Sequence, residues 1–152
     1  MSKNKTEFWI CDKCGERIES VDEGWVEWLT IPDNDSVYGH ISKDIRIVHR
    51  VDCIYDGQKV FLNYNATVSD LDLKWFAKKD GLMDLLSFIS DDRFEDKEEV
   101  LEIIKRIHIP GYEEARHHFD AAIYEQVFEP NTKPSYYSQR DIEQVINYYR
   151  ES

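Results

Sequence analysis

Two short-spaced pairs constrain this chain more than any other feature. Cys11-Asp12-Lys13-Cys14-Gly15 is a Cys-x2-Cys knuckle, and His49-Arg50-Val51-Asp52-Cys53 is a His-x3-Cys pair. Zinc in a structural site takes four sulfur or nitrogen ligands in a tetrahedron, and two such pairs brought together by the intervening chain supply them. The three cysteines of the sequence cannot all pair as disulfides, whereas three cysteines and one histidine complete a closed shell. The predicted ligands are Cys11, Cys14, His49 and Cys53, and the predicted cofactor is one structural zinc ion. Gly15 follows Cys14 where the chain must turn tightly enough for backbone amides to face the sulfurs. A redox Cys-x2-Cys would instead open a helix after a strand within a βαβ pattern, which these residues lack. Two readings compete: the cysteines are plain buried thiols beside an ordinary strand-end histidine, or His40 replaces His49, although His40 has no short-spaced partner.

The 152 residues suffice for one ordinary domain or two small ones. Residues 1–66 read as short strands between turn signals. Phe8-Trp9-Ile10, Trp25–Ile31, Ile45–Val48 and Val60-Phe61-Leu62 are aromatic or β-branched, and Pro32-Asp33-Asn34-Asp35 is a turn. From Thr67 the apolar period lengthens to that of a helix. Leu71, Trp75 and Phe76, then Leu82, Leu85, Leu86 and Ile89, predict two short helices or a kinked one, interrupted at Asp80-Gly81. Asp96–Ile107 is the clearest helix: Val100, Ile103, Ile104 and Ile107 form a stripe, acidic residues open it and Lys105-Arg106 close it, complementing the helix dipole. After Pro110-Gly111, Tyr112, Ala115, Phe119, Ala122, Ile123 and Val127 predict one further helix. Ser138 caps a last one, striped by Ile142, Val145, Ile146 and Tyr149. The expected fold class is α+β, with a β-rich zinc-binding module over residues 1–66 and an acidic α-helical domain over residues 67–152.

On Trp9-Ile10-Cys11-Asp12-Lys13-Cys14-Gly15, the strand-rich middle, His49 and Cys53, the first 60 or so residues resemble the zinc-ribbon and treble-clef class of zinc-binding modules. The resemblance implies a structural metal held by a knuckle and a second pair. The His-x3-Cys second pair and the long acidic helical tail depart from that class. The chain is also similar to small bacterial and bacteriophage proteins with a Cys-x2-Cys-Gly start, a likeness that carries no activity.

Charge narrows the function. Thirty-one acidic against nineteen basic residues give a net charge of −12, which repels a phosphate backbone. Residues 1–66 carry −4 and residues 67–152 carry −8, so even the zinc module is acidic. A nucleic-acid-binding regulator would have to rely on a local stripe of Lys43, Arg46, Arg50 and Lys59. An acidic inhibitor that mimics phosphate is a further alternative. No run of eighteen apolar residues occurs, and Met1–Glu7 lacks the apolar stretch of a secretory signal, so a cytoplasmic protein without a membrane span is expected.

Catalytic signals are absent from the sequence: there is no Gly-x-Ser-x-Gly, Walker loop or Gly-x-Gly-x-x-Gly, and a fully protein-ligated zinc leaves no position for water. His108, His117, His118 and Asp120 read as a polar helix surface, with a second metal site or an acid–base set the lesser alternative, since His117 and His118 point about 100° apart on a helix. The expected function is a non-enzymatic interaction protein that receives a basic protein partner on an acidic, aromatic-containing surface. Trp28 is the predicted partner-binding aromatic, and Trp25 the predicted core residue.

Overall fold

The computed structural model describes residues 7–151. Met1–Thr6, most of the polar start considered above, lies outside the described residues. Among the described residues, two antiparallel sheets and seven α-helices make up an α+β fold, with the strands early in the chain and most of the helices late. Two compact units divide it, residues 1–108 and residues 109–152. No described helix is long and apolar enough to cross a membrane.

In the first unit, β1 (Trp9–Ile10) and β2 (Arg17–Ile18) are the arms of the cysteine knuckle, with Trp9 opposite Ile18. A one-turn 3-10 helix, Val21–Glu23, leads into β3 (Gly24–Pro32), and the turn through Asp33–Gly39 returns the chain as β4 (His40–His49). α1 (Gly57–Tyr64) precedes β5 (Thr67–Asp72), and the larger sheet has the order β4-β3-β5, antiparallel throughout. β3 is central because nearly every residue from Gly24 to Leu29 has something to bury on one face or the other. Glu27 pairs with Arg46 but Leu29 with Lys43, so β4 carries one extra residue opposite Trp28. Asp44 takes up this bulge in a left-handed conformation, φ 59°.

One face of the sheet is covered by α2 (Leu73–Phe76), α3 (Lys79–Ser90) and α4 (Lys97–His108). Val26, Trp28 and Ile47 meet Leu73, Phe76, Leu85, Val100 and Ile103 there in one core. α4 follows its sequence signals: Asp96 accepts a hydrogen bond from the Glu98 amide at 2.9 Å, and the Val100–Ile103 stripe faces the core. Leu29, Val60 and Ala66 make a smaller cluster with Ile31, Tyr55 and Val68.

Several sequence expectations give way here for physical reasons. Val60-Phe61-Leu62 is part of α1 rather than a strand. The Asp56 carboxylate accepts from the Gln58 and Lys59 amides at 3.1 and 3.2 Å, and Asn65 closes the helix at φ 55°, so capping outweighs weak β propensity. Thr67–Asp72 is a strand although its apolar spacing continues that of a helix, because it pairs with β3 along its whole length. That pairing places residues 67–108 in the same unit as the cysteines, whereas the sequence reading divides the chain at Ala66. The break between α2 and α3 falls at Ala77-Lys78, and Gly81 lies inside α3. A Cβ at Gly81 would stand 2.1 Å from the Trp75 carbonyl oxygen, so glycine permits the two helices to meet so closely.

The second unit holds α5 (Tyr112–Ala115), α6 (Phe119–Tyr124) and α7 (Gln139–Glu151). The single helix predicted from Tyr112 to Val127 is interrupted at Arg116–His118, where the His118 amide bonds the Ala115 carbonyl at 2.8 Å. Tyr112, Ala115, Phe119 and Ala122 thereby share one core with Phe128, Ile142, Val145 and Ile146, while Ile123 is left 39 % exposed. α7 begins as the sequence predicts, with the Ser138 hydroxyl accepting from the Asp141 amide at 3.2 Å.

The expectation for Trp28 is corrected, while Trp25 packs against the same core from its edge. Trp28 is 9 % exposed, and its ring lies 5.3 Å from Phe88, 6.2 Å from Phe76 and 6.2 Å from Phe94, whereas Trp25 is half-buried. Strand alternation separates the two residues but does not say which face the helices cover; α2, α3 and α4 decide it. Trp28 is thus not an exposed interface aromatic. We expect Trp28→Ala to cost about 3–5 kcal/mol in urea unfolding, the usual loss for a truncated buried aromatic, and Trp25→Ala to cost less.

Candidate metal centre

The knuckle is built from its own backbone first. Cys11 N–H donates to the Glu16 carbonyl at 2.9 Å and Gly15 N–H to the Cys11 carbonyl at 3.0 Å, with Gly15 at φ +77°, a conformation that favours glycine. Asp12 then lays the knuckle along the edge of β4. Its amide donates to the Ile47 carbonyl, and its carboxylate accepts from the Ile47 amide, both at 2.8 Å. This brings both knuckle cysteines beside His49, the last residue of β4, and the turn that follows returns Cys53 to the same point.

The ligand atoms of Cys11, Cys14, His49 and Cys53 all lie within 4.8 Å of one another. Cys14 Sγ is 3.4 Å and Cys53 Sγ 3.7 Å from His49 Nδ1. An ion with tetrahedral bonds of about 2.0–2.3 Å sets its donors about 3.5–3.8 Å apart, close to the two distances at His49, and the whole group is near enough to hold one. His49 Nε2–H donates to the Arg17 carbonyl at 3.0 Å, which leaves Nδ1 with its lone pair directed to the sulfurs. Cys11 and Cys53 are buried and Cys14 is exposed.

Electrostatics prepare the sulfurs unequally. Burial opposes ionisation of Cys11, but hydrogen bonds from the amides of Cys14, His49 and Lys13 outweigh it and bring the thiol down to about 6. Burial and the neighbouring Cys11 and Cys14 sulfurs push Cys53 up to about 11. Burial also opposes the charge on His49, yet the Arg17 carbonyl and the Cys11 sulfur raise it above the usual histidine range. Crowded sulfurs that resist joint ionisation gain most from a cation placed among them.

Two ion pairs, each with one buried partner, hold this arrangement, and the sequence reading missed both. Arg106, 4 % exposed on α4, donates to the Asp12 carboxylate at 2.7 Å and to the Ile10 carbonyl at 3.0 Å, while Trp9 Nε1–H donates to the Arg106 carbonyl at 3.2 Å. Glu27, fully buried, accepts from Arg46 Nε at 2.8 Å and from the Tyr55 amide at 3.0 and 3.1 Å. Arg46 also donates to the Cys53 carbonyl at 3.1 Å and stacks 3.6 Å from the Tyr55 ring, so one buried carboxylate fixes the turn that carries Cys53. The available signal was Glu27 itself, a lone acid inside Trp25-Val26-Glu27-Trp28-Leu29. Arg106 gave none, because a basic residue in a last helical turn is usually exposed.

No protein-family model, curated protein or solved structure matches this chain.

His40 does not join the group. It lies nine residues back along β4, about 30 Å from His49 at about 3.3 Å per residue. His108 Nε2–H donates to the Phe76 carbonyl at 2.7 Å, and His118 stacks on Tyr149 with ring centroids 4.3 Å apart. The described residues contain no second group of three or more ligating side chains, so His117, His118 and Asp120 form no site of that kind.

Three outcomes are expected. Metal uptake by the metal-free protein near pH 7.5 will acidify a weakly buffered solution, because Cys53, pushed up to about 11, holds its proton there and must release it to ligate. Affinity will fall more steeply below about pH 6, where Cys11 is protonated too; titration at several pH values reads both effects. Glu27→Ala, which strands Arg46 and the Tyr55 amide, will cost about 3–5 kcal/mol and speed loss of metal to a chelator.

Proposed function

We propose that this is a non-enzymatic interaction protein, in which one structural zinc ion on Cys11, Cys14, His49 and Cys53 holds a zinc-ribbon-like module together and an acidic surface receives a basic protein partner. The observation that carries the reading is the donor set itself: four protein ligands within 4.8 Å, three of them sulfur. A shell closed by the chain leaves no coordination position for water, which suits a structural ion and not a hydrolytic one. Three thiols also favour a reducing compartment such as the cytoplasm, where they stay available to metal. Zinc contributes on the order of 10 kcal/mol to the folding of small modules, and here it would add to the Asp12–Arg106 contacts and the buried Trp9 and Ile18 that hold the two-residue strands β1 and β2.

The contact surface is assigned away from Trp28. α1 exposes Phe61, Leu62 and Tyr64 at 56, 72 and 59 %, and Val51 and Ile54 on either side of Cys53 are exposed as well. Apolar groups left in water at this density favour a protein contact. The charge of −12, lowered one unit further when three thiolates take up one dication, speeds encounter with a basic partner.

Elemental analysis should return about one zinc per chain, the count for a single four-ligand site. The double variant Phe61→Glu with Leu62→Glu should keep the zinc and the melting temperature of the parent but lose its salt-sensitive capture of a basic protein from native cells. A folded preparation free of zinc, or a variant that captures the same partner undiminished, would overturn the reading.

A further inference from the structure

The inward face of the sheet is apolar near the metal and changes character at its other end. Trp28 is followed two residues on by Thr30. Ser69 of β5 lies opposite Trp28, Ser42 of β4 lies opposite Thr30, and His40 stands two residues before Ser42. These five side chains, with Phe88, Arg93 and Phe94, line a cavity of about 190 Å3. The wall is fastened by backbone: Ser42 N–H donates to the Arg93 carbonyl and Glu95 N–H to the Ser42 carbonyl, both at 2.9 Å.

Three properties restrict what such a cavity takes. Its volume falls below the roughly 300 Å3 at which pockets for drug-sized ligands begin and equals about six waters, which excludes nucleotides and peptides. Its walls include Trp28, Phe88 and Phe94, which suit a flat apolar body. Its charged and titratable lining is Arg93 and His40 with no carboxylate, in a chain of net charge −12. His40 Nδ1 and Arg93 Nε are, moreover, shielded from solvent without a hydrogen-bond partner among the described residues. Arg93 is otherwise held, by Asp91 at 3.1 Å and beneath the Tyr38 ring at 5.1 Å, and Thr30 and Ser69 share a hydrogen bond of 3.0 Å. The Arg93 side chain as a whole is 40 % exposed, but its shielded Nε–H still favours a group that accepts from it.

We propose that this cavity binds a small monocarboxylate with a flat apolar body, about the size of benzoate. The ring lies against the cavity-facing edges of the mutually packed Trp28, Phe88 and Phe94, and the carboxylate takes hydrogen bonds from Arg93, His40 and the hydroxyls at the end of the sheet. The site is separate from the metal centre at the opposite end of β4 and does not depend on it for its chemistry.

The test is titration of the full chain with benzoate, with its neutral analogue benzamide and with inorganic phosphate, followed by the indole signal of Trp28 and the imidazole signal of His40 in NMR spectra. Benzoate should shift both signals saturably and bind about tenfold more tightly than benzamide, the difference one charge-assisted hydrogen bond supplies. Phosphate, with no apolar body, should leave the Trp28 signal in place. Arg93→Gln should lower benzoate affinity to the level of benzamide, and Ser69→Val, which narrows the cavity from an edge strand, should weaken both. No saturable shift with benzoate, meaning a cavity that holds water only, overturns the proposal. So does benzamide binding as tightly as benzoate, a phosphate response equal to that of benzoate, or unchanged benzoate affinity in either folded variant.

Discussion

Asp12 is the residue on which the arrangement of the first unit turns. Through one amide and one carboxylate it joins the cysteine knuckle to Ile47 of β4 and to Arg106 of α4, stretches of chain 35 and 94 residues away. Neither contact is large alone. Their geometry, however, is shared: a carboxylate that accepts both a backbone amide and a buried guanidinium has few orientations left, and the two cysteines flanking it are oriented with it. The knuckle reaches His49 because of this clamp, since β1 and β2 are too short to direct it.

Glu27 does the same for the second ligand pair. It is fully buried at the centre of β3, where an unpaired carboxylate would be intolerable, and Arg46 together with the Tyr55 amide compensates it. The compensation is also constructive. Arg46 is committed to Glu27 and to the Cys53 carbonyl, so the turn between His49 and the first residue of α1 inherits its position from the sheet. Neutralising the charge by this means, rather than by an apolar residue, links the ligand turn to the core.

β4 consequently has two ends of different chemistry. At His49 the strand delivers one member of the Cys3His group, and at His40 it borders a small cavity with basic and hydroxyl lining. The bulge at Asp44 lies between them and shifts the register against β3 by one residue. Side chains beyond the bulge therefore face where they do because of an extra residue that no periodic pattern announces.

The sequence by itself determined which three cysteines and histidine come together, the α+β class and the long helices. Cysteines and histidines at x2 and x3 spacing must converge locally, and α4 and α7 carry caps and apolar stripes whose meaning depends on few other residues. Only the tertiary structure decided the rest. Whether Thr67–Asp72 is a strand depended on an open edge of β3, whether Trp28 or Trp25 is buried depended on which face the helices cover, and whether Arg106 is exposed depended on Asp12 reaching it. Each of these is a choice between two locally acceptable states, and a distant partner settles it; a short segment read alone does not contain that partner.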